Sequence, residues 1–280
     1  MFELNFTILA IGSAVFAAIA NILARTLLKN LRSQDILGIN FLTMGATLVL
    51  VSPSFYYFDA TPFAMALLLS IGLIDTLANY FYFKTFEKTE ASVATPILSL
   101  APVFTFILGW FVINDVVSWK TLLIALLITS LIIIFSVDFK NIKTFKKNTF
   151  IPAITASLLF GISAIPSKML LDTLDVINSP TLYMFRSGVI ALFALLFFGF
   201  KVHDLSLGQY RIIFVRGLFV IAQWLLLYYA LSLGNAGVTI TLANITPVFV
   251  FILGALFLKE RMTWKKGFAA ILILALSSII

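Results

Sequence analysis

Apolar residues follow one another along this chain in runs of roughly twenty, broken by short polar or charged intervals. Ten runs stand out, at 4–26, 36–57, 61–84, 91–112, 119–137, 149–171, 179–201, 207–231, 236–258 and 263–280. About 20 residues at about 1.5 Å each carry an α-helix across the roughly 30 Å hydrocarbon core of a bilayer. The pattern therefore predicts an all-α, polytopic membrane protein with ten transmembrane helices. A membrane β-barrel would alternate apolar and polar positions in segments of about ten residues, and that alternation is missing. Connections are short. Only DFKNIKTFKKNTF, Asp138 to Phe150, makes a clear interruption, dividing the chain into residues 1–144 and 145–280. The opening MFELNFTILA has no basic stretch ahead of its apolar run and no evident cleavage site, so this run is expected to be a span, not a removed signal.

Composition narrows the chemistry. Charged residues make up 11% of the chain and hydrophobic ones 61%, against about 25% charged in soluble domains. With no cysteine, disulfides, thiolate metal sites and cysteine nucleophiles are excluded. The single histidine, His203, falls in a short loop and reads as solvated, not as a ligand. No HExxH, GxSxG, phosphate-loop or dinucleotide-binding pattern occurs, so no metal or cofactor is expected and an intramembrane enzyme lacks its acids and nucleophiles.

The net charge of +7 would suggest nucleic acid in a soluble protein. Here the charge sits in alternate loops. The odd-numbered connections hold 15 Lys and Arg, from Arg25, Lys29 and Arg32 to Lys259, Arg261, Lys265 and Lys266; the even-numbered ones and the termini hold only Lys120 and Lys168. Lys and Arg in short loops are retained in the cytoplasm. The odd connections are thus expected inside and both termini outside.

The two halves also repeat. PVFTFILGWFVINDVVSWK from Pro102 and PVFVFILGALFLKERMTWK from Pro247 agree at nine of nineteen positions, 145 residues apart. Gly72 matches Gly217 at the same offset, and Arg25 matches Lys168 at an offset of 143. Five spans separate the copies, so they enter the membrane in opposite senses. Such an inverted repeat forms two nearly equivalent shapes, one open to each side, with substrate near the midplane. The expected function is a secondary, gradient-driven transporter working by alternating access. A non-transporting channel or sensor is the alternative.

Two five-helix halves, each closing on Pro-Val-Phe, Gly, an acidic residue (Asp115, Glu260) and Trp-Lys, resemble the drug/metabolite transporter superfamily, in particular its EamA-like branch. The resemblance covers essentially the whole chain. It implies export or exchange of a small metabolite, such as an amino acid, through a cavity walled by the first, third and fourth helices of each half. A bacterial or archaeal plasma membrane fits, and a monomer suffices. The chain departs from the family where many members carry Trp-Gly in the first helix: here Val15-Phe16-Ala17 and Leu159-Phe160-Gly161 stand instead. It departs again in its charge bias, since many members have cytoplasmic termini.

Ionisable groups inside spans need a partner or a wet cavity. Asp75 and Arg216 lie at similar depth in equivalent helices and are expected to face one another, either as a gate or as a static ion pair. Asp75 is also the candidate site for coupled protons. Arg186 either holds a substrate carboxylate through its planar fork or snorkels to the interface; Lys168, nearer the edge, is expected to snorkel. Asn79 shares a face with Asp75. Gln223, Trp224 and Tyr228 fall near one stripe with Arg216, and Asn21 and Asn244 are midspan amides; each is either cavity lining or a helix–helix hydrogen bond. Pro96, Pro102, Pro166 and Pro247 are expected to kink their spans, with Pro102 and Pro247 the candidate pivots.

Overall fold

Small residues decide how closely these helices meet. The first, α1 (Phe6–Leu28), is capped by Asn5, whose side chain accepts from the Thr7 amide, and between Leu9 and Leu27 its buried side is, apart from Asn21, small: Ala10, Ser13, Ala14, Ala17, Ala18, Ala20 and Ala24. Lacking bulk there, it lets a neighbour's backbone approach, which is how helices associate in lipid.

The computed structural model describes residues 5–88, 95, 97–136, 147–199, 205–257, 264–277 and 279. After α1 come α2 (Ser33–Val51), α3 (Pro62–Lys88), α4 (Ala101–Ile113) and α5 (Trp119–Ser136). The second half holds α6 (Lys147–Lys168), α7 (Ser179–Phe198), α8 (Leu207–Leu233), α9 (Ala236–Ala243), α10 (Thr246–Phe257) and α11 (Trp264–Ser277). The described residues contain no β-strand, only an isolated antiparallel bridge between Phe58 and Ile177. Among the described residues, seven helical segments are long and apolar enough to cross a membrane, counting α9 with α10 as one; Ala101–Ile113 and Trp119–Ile132 are shorter apolar helices. Large apolar side chains such as Leu50, Leu123, Leu196 and Ile271 are exposed on the outer faces, as a lipid-facing surface requires. Pro96, His203, the linker residues 138–146 and the Lys259–Glu260–Arg261 loop lie outside the described residues.

The main helix pairings join one half to the other. Helix α1 packs on α8 and α3 on α6; α2 crosses α7; α4 and α1 both touch α9, and α5 touches α11. Helix α4 approaches α6 so closely that a Cβ at Gly161 would stand 2.8 Å from the Ala101 carbonyl and from Phe104 Cβ. That contact requires glycine.

Pro102 and Pro247 do not kink continuous helices, contrary to expectation. Each stands at the second position of a new helix that follows a short turn, Ser99–Leu100 before α4 and Asn244–Ile245 before α10. The turns are matched bond for bond: Leu100 N–H donates to the Ile97 carbonyl and Val103 N–H to Leu100, as Ile245 N–H does to Leu242 and Val248 N–H to Ile245. A proline has no N–H for the carbonyl four residues back, and in lipid that carbonyl must find another donor. Ser157 of α6 supplies it at Leu98 (3.1 Å), and Thr246 supplies it at Ala243 (2.9 Å). The turns meet: Ser99 Oγ donates to the Asn244 carbonyl at 3.0 Å, across a sequence separation of 145.

The ends of the bundle are tied by side chains bonding main chain. Arg25, in the last turn of α1, donates to the Phe86 (2.6 Å) and Glu87 (3.2 Å) carbonyls at the end of α3. Lys168, at the end of α6, donates to the Leu231 (3.0 Å) and Gly234 (2.8 Å) carbonyls at the end of α8, and to Asp172 at 2.8 Å. Lys168 therefore does not snorkel; it is buried, because a helix C-terminus offers unbonded carbonyls and negative potential to a cation. A π-helical turn, Met169–Thr173, follows it. At the same end Asp115 accepts from the Ala236 amide (2.7 Å), capping α9, and Asn235 Nδ2 donates to the Asp115 carbonyl (3.1 Å).

Candidate functional site

Helix α8 presents Arg216, Val220, Gln223, Trp224, Leu227, Tyr228 and Leu231 along one face, spaced by three or four residues as a helical stripe demands. That face walls a cavity of about 130 Å³ between the halves. Ser13, Ala17 and Asn21 of α1, Asn79 and Tyr82 of α3, and Phe160, Ser163, Ala164 and Ser167 of α6 close its sides; the segments flanking the two turns close it with Thr95, Leu98, Ala101, Ile240, Ala243, Asn244 and Thr246. Phe41 of α2 completes the lining. Apart from Phe41, the walls come from the first, third and fourth spans of each half.

The lining positions match between halves. Asn79 and Trp224, Tyr82 and Leu227, Leu98 and Ala243, and Ala101 and Thr246 are each 145 residues apart, while Ala17 and Phe160, like Asn21 and Ala164, are 143 apart. The side chains at matched positions differ in character. The cavity's frame is thus repeated and its chemistry is not.

Asp75 and Arg216 do not face one another. Asp75, fully buried on α3, pairs with Arg186 of α7, whose Nε lies 2.5 Å from its Oδ2. Arg216 donates through Nη1 to Asn40 Oδ1 of α2 at 2.6 Å. The reason is which helices touch. Helix α3 packs on α6 and α7, and α8 on α1 and α2, so Asp75 finds its partner on α7 and Arg216 finds one on α2.

The Asp75–Arg186 pair stands behind the cavity wall, not among its lining residues. Arg186 Nη1 donates to the Tyr228 hydroxyl (2.9 Å), and its guanidinium lies 3.5 Å from the centre of the Trp224 ring. Tyr183 stacks on the far part of this cluster, 6.1 Å from Trp224 with planes 13° apart. Arg186 is therefore buried, paired with Asp75 and packed against two cavity-lining aromatics. Asn79 donates to the Asp75 main-chain carbonyl (2.8 Å), which leaves its amide oxygen toward other partners.

Arg216 lines the cavity directly. Its guanidinium carbon lies 4.9 Å from the centre of the Phe83 ring, and its buried Nε has no hydrogen-bond partner among the described residues. Nearby, Tyr82 Oη donates to Asn21 Oδ1 at 2.5 Å. Asn40 and Tyr82 went unnoticed in the sequence. Tyr82 falls three residues beyond Asn79 on the stripe from Asp75, a spacing that points to it; Asn40 is a midspan amide like Asn21, and nothing further in the pattern singles it out.

The sequence profile of the EamA-like transporter family matches this chain twice, at residues 5–137 and 148–280. An uncharacterized transporter of Archaeoglobus fulgidus is 26% identical over 205 residues, which make up 72% of this chain and 70% of the relative. A protein of known crystal structure, 12% identical, superposes with a TM-score of 0.73 over 98% of this chain and 94% of its own, a likeness of fold. Matched by one family over both halves, with helices fit to span a bilayer and a cavity between them, the chain is an integral membrane protein and belongs to the EamA-like transporter family.

Proposed function

We propose that the protein is a gradient-driven secondary transporter that moves a small metabolite across the membrane by alternating access. The observation that carries this is the cavity whose walls come from matched positions of the two halves, closed by two matched turns that touch at Ser99 and Asn244. The pairing pattern supports the same reading. Exchanging each span with its counterpart turns the α1–α8 contact into α6–α3, leaves α2–α7 and α5–α11 as they are, and so reproduces the principal contacts. A twofold axis in the membrane plane accounts for that exchange. Ten spans in two inverted halves then rock about the axis and expose one central site to either side.

The side of each loop follows from the charge bias, with the odd connections cytoplasmic and both termini external. Direction of net movement follows the gradients, and export or exchange is the mode the family resemblance favours. Amino acids and related compounds make the starting panel.

The test is a thermal-shift screen of the purified protein against that panel, followed by flux into proteoliposomes. A ligand at 100 times its dissociation constant adds about 2.7 kcal/mol of stability, which is readily seen. Trp224→Ala, which removes a cavity wall, should abolish the response. If no metabolite either shifts the melting temperature or crosses the proteoliposome membrane, the transporter reading fails.

A further inference from the structure

Two buried arginines stand near the cavity, and their electrostatic situations differ. Arg186 faces Asp75 at 2.5 Å and its charge is cancelled. Arg216, buried and on the lining itself, meets only neutral partners among the described residues: the Asn40 amide, the Phe83 ring and the neighbouring Tyr82. Its Nε remains unbonded. None of the described lining residues is Asp or Glu. The cavity wall thus carries one uncompensated positive charge. A buried cation without a counter-charge is strongly unfavourable, so an ion brought by the ligand relieves it.

We infer that the central cavity takes a small monocarboxylate, its carboxylate held by Arg216 and its apolar body lying against Phe160 and Trp224. This rests on the cavity being the transport site and specifies the charge of what enters it. Arg presents a planar fork that matches a carboxylate, and the open Nε is one arm of that fork. A dianion would replace one buried uncompensated charge with another of opposite sign. A zwitterionic amino acid would bring an ammonium for which the lining offers no carboxylate, since Asp75 is occupied by Arg186. The volume of about 130 Å³ is close to a cavity of about 150 Å³ that accepts benzene, which suits a five-carbon acid. Gln223, Asn244 and Asn79 provide the amides for one further polar group.

Three near-isosteric probes separate the charge types: 3-methylbutanoate, valine and 3-methylbutanamide, each titrated against the purified wild-type protein at constant chloride with melting temperature as readout. The carboxylate is expected to stabilise the protein and to bind at least about tenfold tighter than the amide or valine. In Arg216→Gln that advantage disappears, and in Arg216→Lys it is retained in part. The wild-type comparison decides the matter even if Arg216→Gln does not fold. Equal or tighter binding of valine or the amide overturns the charge assignment and leaves the transport reading in place. Silence from all three overturns the monocarboxylate as well, and only silence from the wider metabolite panel too would bring down the transport reading with it.

Discussion

Arg186 Nε stands 2.5 Å from Asp75 Oδ2, with both side chains shut away from solvent on α7 and α3. Removing one member of such a pair leaves the other charged and unpartnered, at a cost of about 3–5 kcal/mol, whereas removing both is far milder. Asp75→Asn and Arg186→Gln should therefore each lower the melting temperature sharply, and the double variant should recover much of the loss. A double-mutant cycle on Asp75 and Arg216 should show little coupling. Strong coupling of Asp75 to Arg216, with none to Arg186, would contradict the observed pairing.

The matched turns make a second expectation. Ser157→Ala leaves the Leu98 carbonyl without its donor and should destabilise by about 1–3 kcal/mol. In a Pro102→Ala background the new amide N–H can reach that carbonyl, so the same Ser157→Ala change should matter little. Thermal melts of the four proteins check this; equal effects of Ser157→Ala in both backgrounds would mean that the hydroxyl is not replacing the missing donor.

Lys168 has three acceptors of unequal weight. Asp172 is half exposed, so Asp172→Asn should change stability by less than about 1 kcal/mol. Lys168→Met uncovers the carbonyls of Leu231 and Gly234 and should lose roughly 1–3 kcal/mol. Comparable losses from the two variants, measured by denaturation, would assign the burial of Lys168 to the salt bridge instead of the helix end.

Two glycines should respond oppositely to alanine. Gly161→Ala drives a methyl group into the main chain of α4, which cannot swing aside, and should destabilise by about 1–3 kcal/mol. A Cβ at Gly188 in α7 meets nothing within 4 Å, so Gly188→Ala should be neutral or gain up to about 1 kcal/mol. Equal tolerance at both positions would show that α4 and α6 are not in close contact.

The absence of native cysteine makes sidedness easy to read. A cysteine at Lys120 should react with an impermeant label applied to intact cells, and one at Lys146 only after permeabilisation. The reverse pattern would invert the proposed orientation.

How much of this was legible beforehand divides along physical lines. Hydropathy marks spans because lipid imposes one requirement everywhere, and Pro102 with Pro247 marks the repeat because a missing N–H acts on the chain locally. That Pro102 follows a turn instead of kinking a helix is not legible locally, because the donor for the Leu98 carbonyl arrives from Ser157 of another helix; at Pro247 the donor is the adjacent Thr246, and the matched turn carries over from the first half only through the repeat. The failure at Asp75 is of the same kind. Depth within a span is a property of sequence, but the partner of a buried charge is set by which way its side chain turns in the bundle, and Asp75 of α3 meets Arg186 of α7 while Arg216 of α8 meets Asn40 of α2. Arg216 could be placed on the stripe with Gln223 and Tyr228, while its want of a carboxylate emerged only once Asp75 was found paired elsewhere.

Arg25 and Lys168 hold their helix ends through main-chain carbonyls. Carbonyls are present whatever the side chain, so drift at positions 86, 231 or 234 leaves the acceptors in place. The donor has no such insurance. Each tie is thus genetically lopsided: one codon must keep a cation of the right reach, while the residues it grips answer to their own packing and not to the tie.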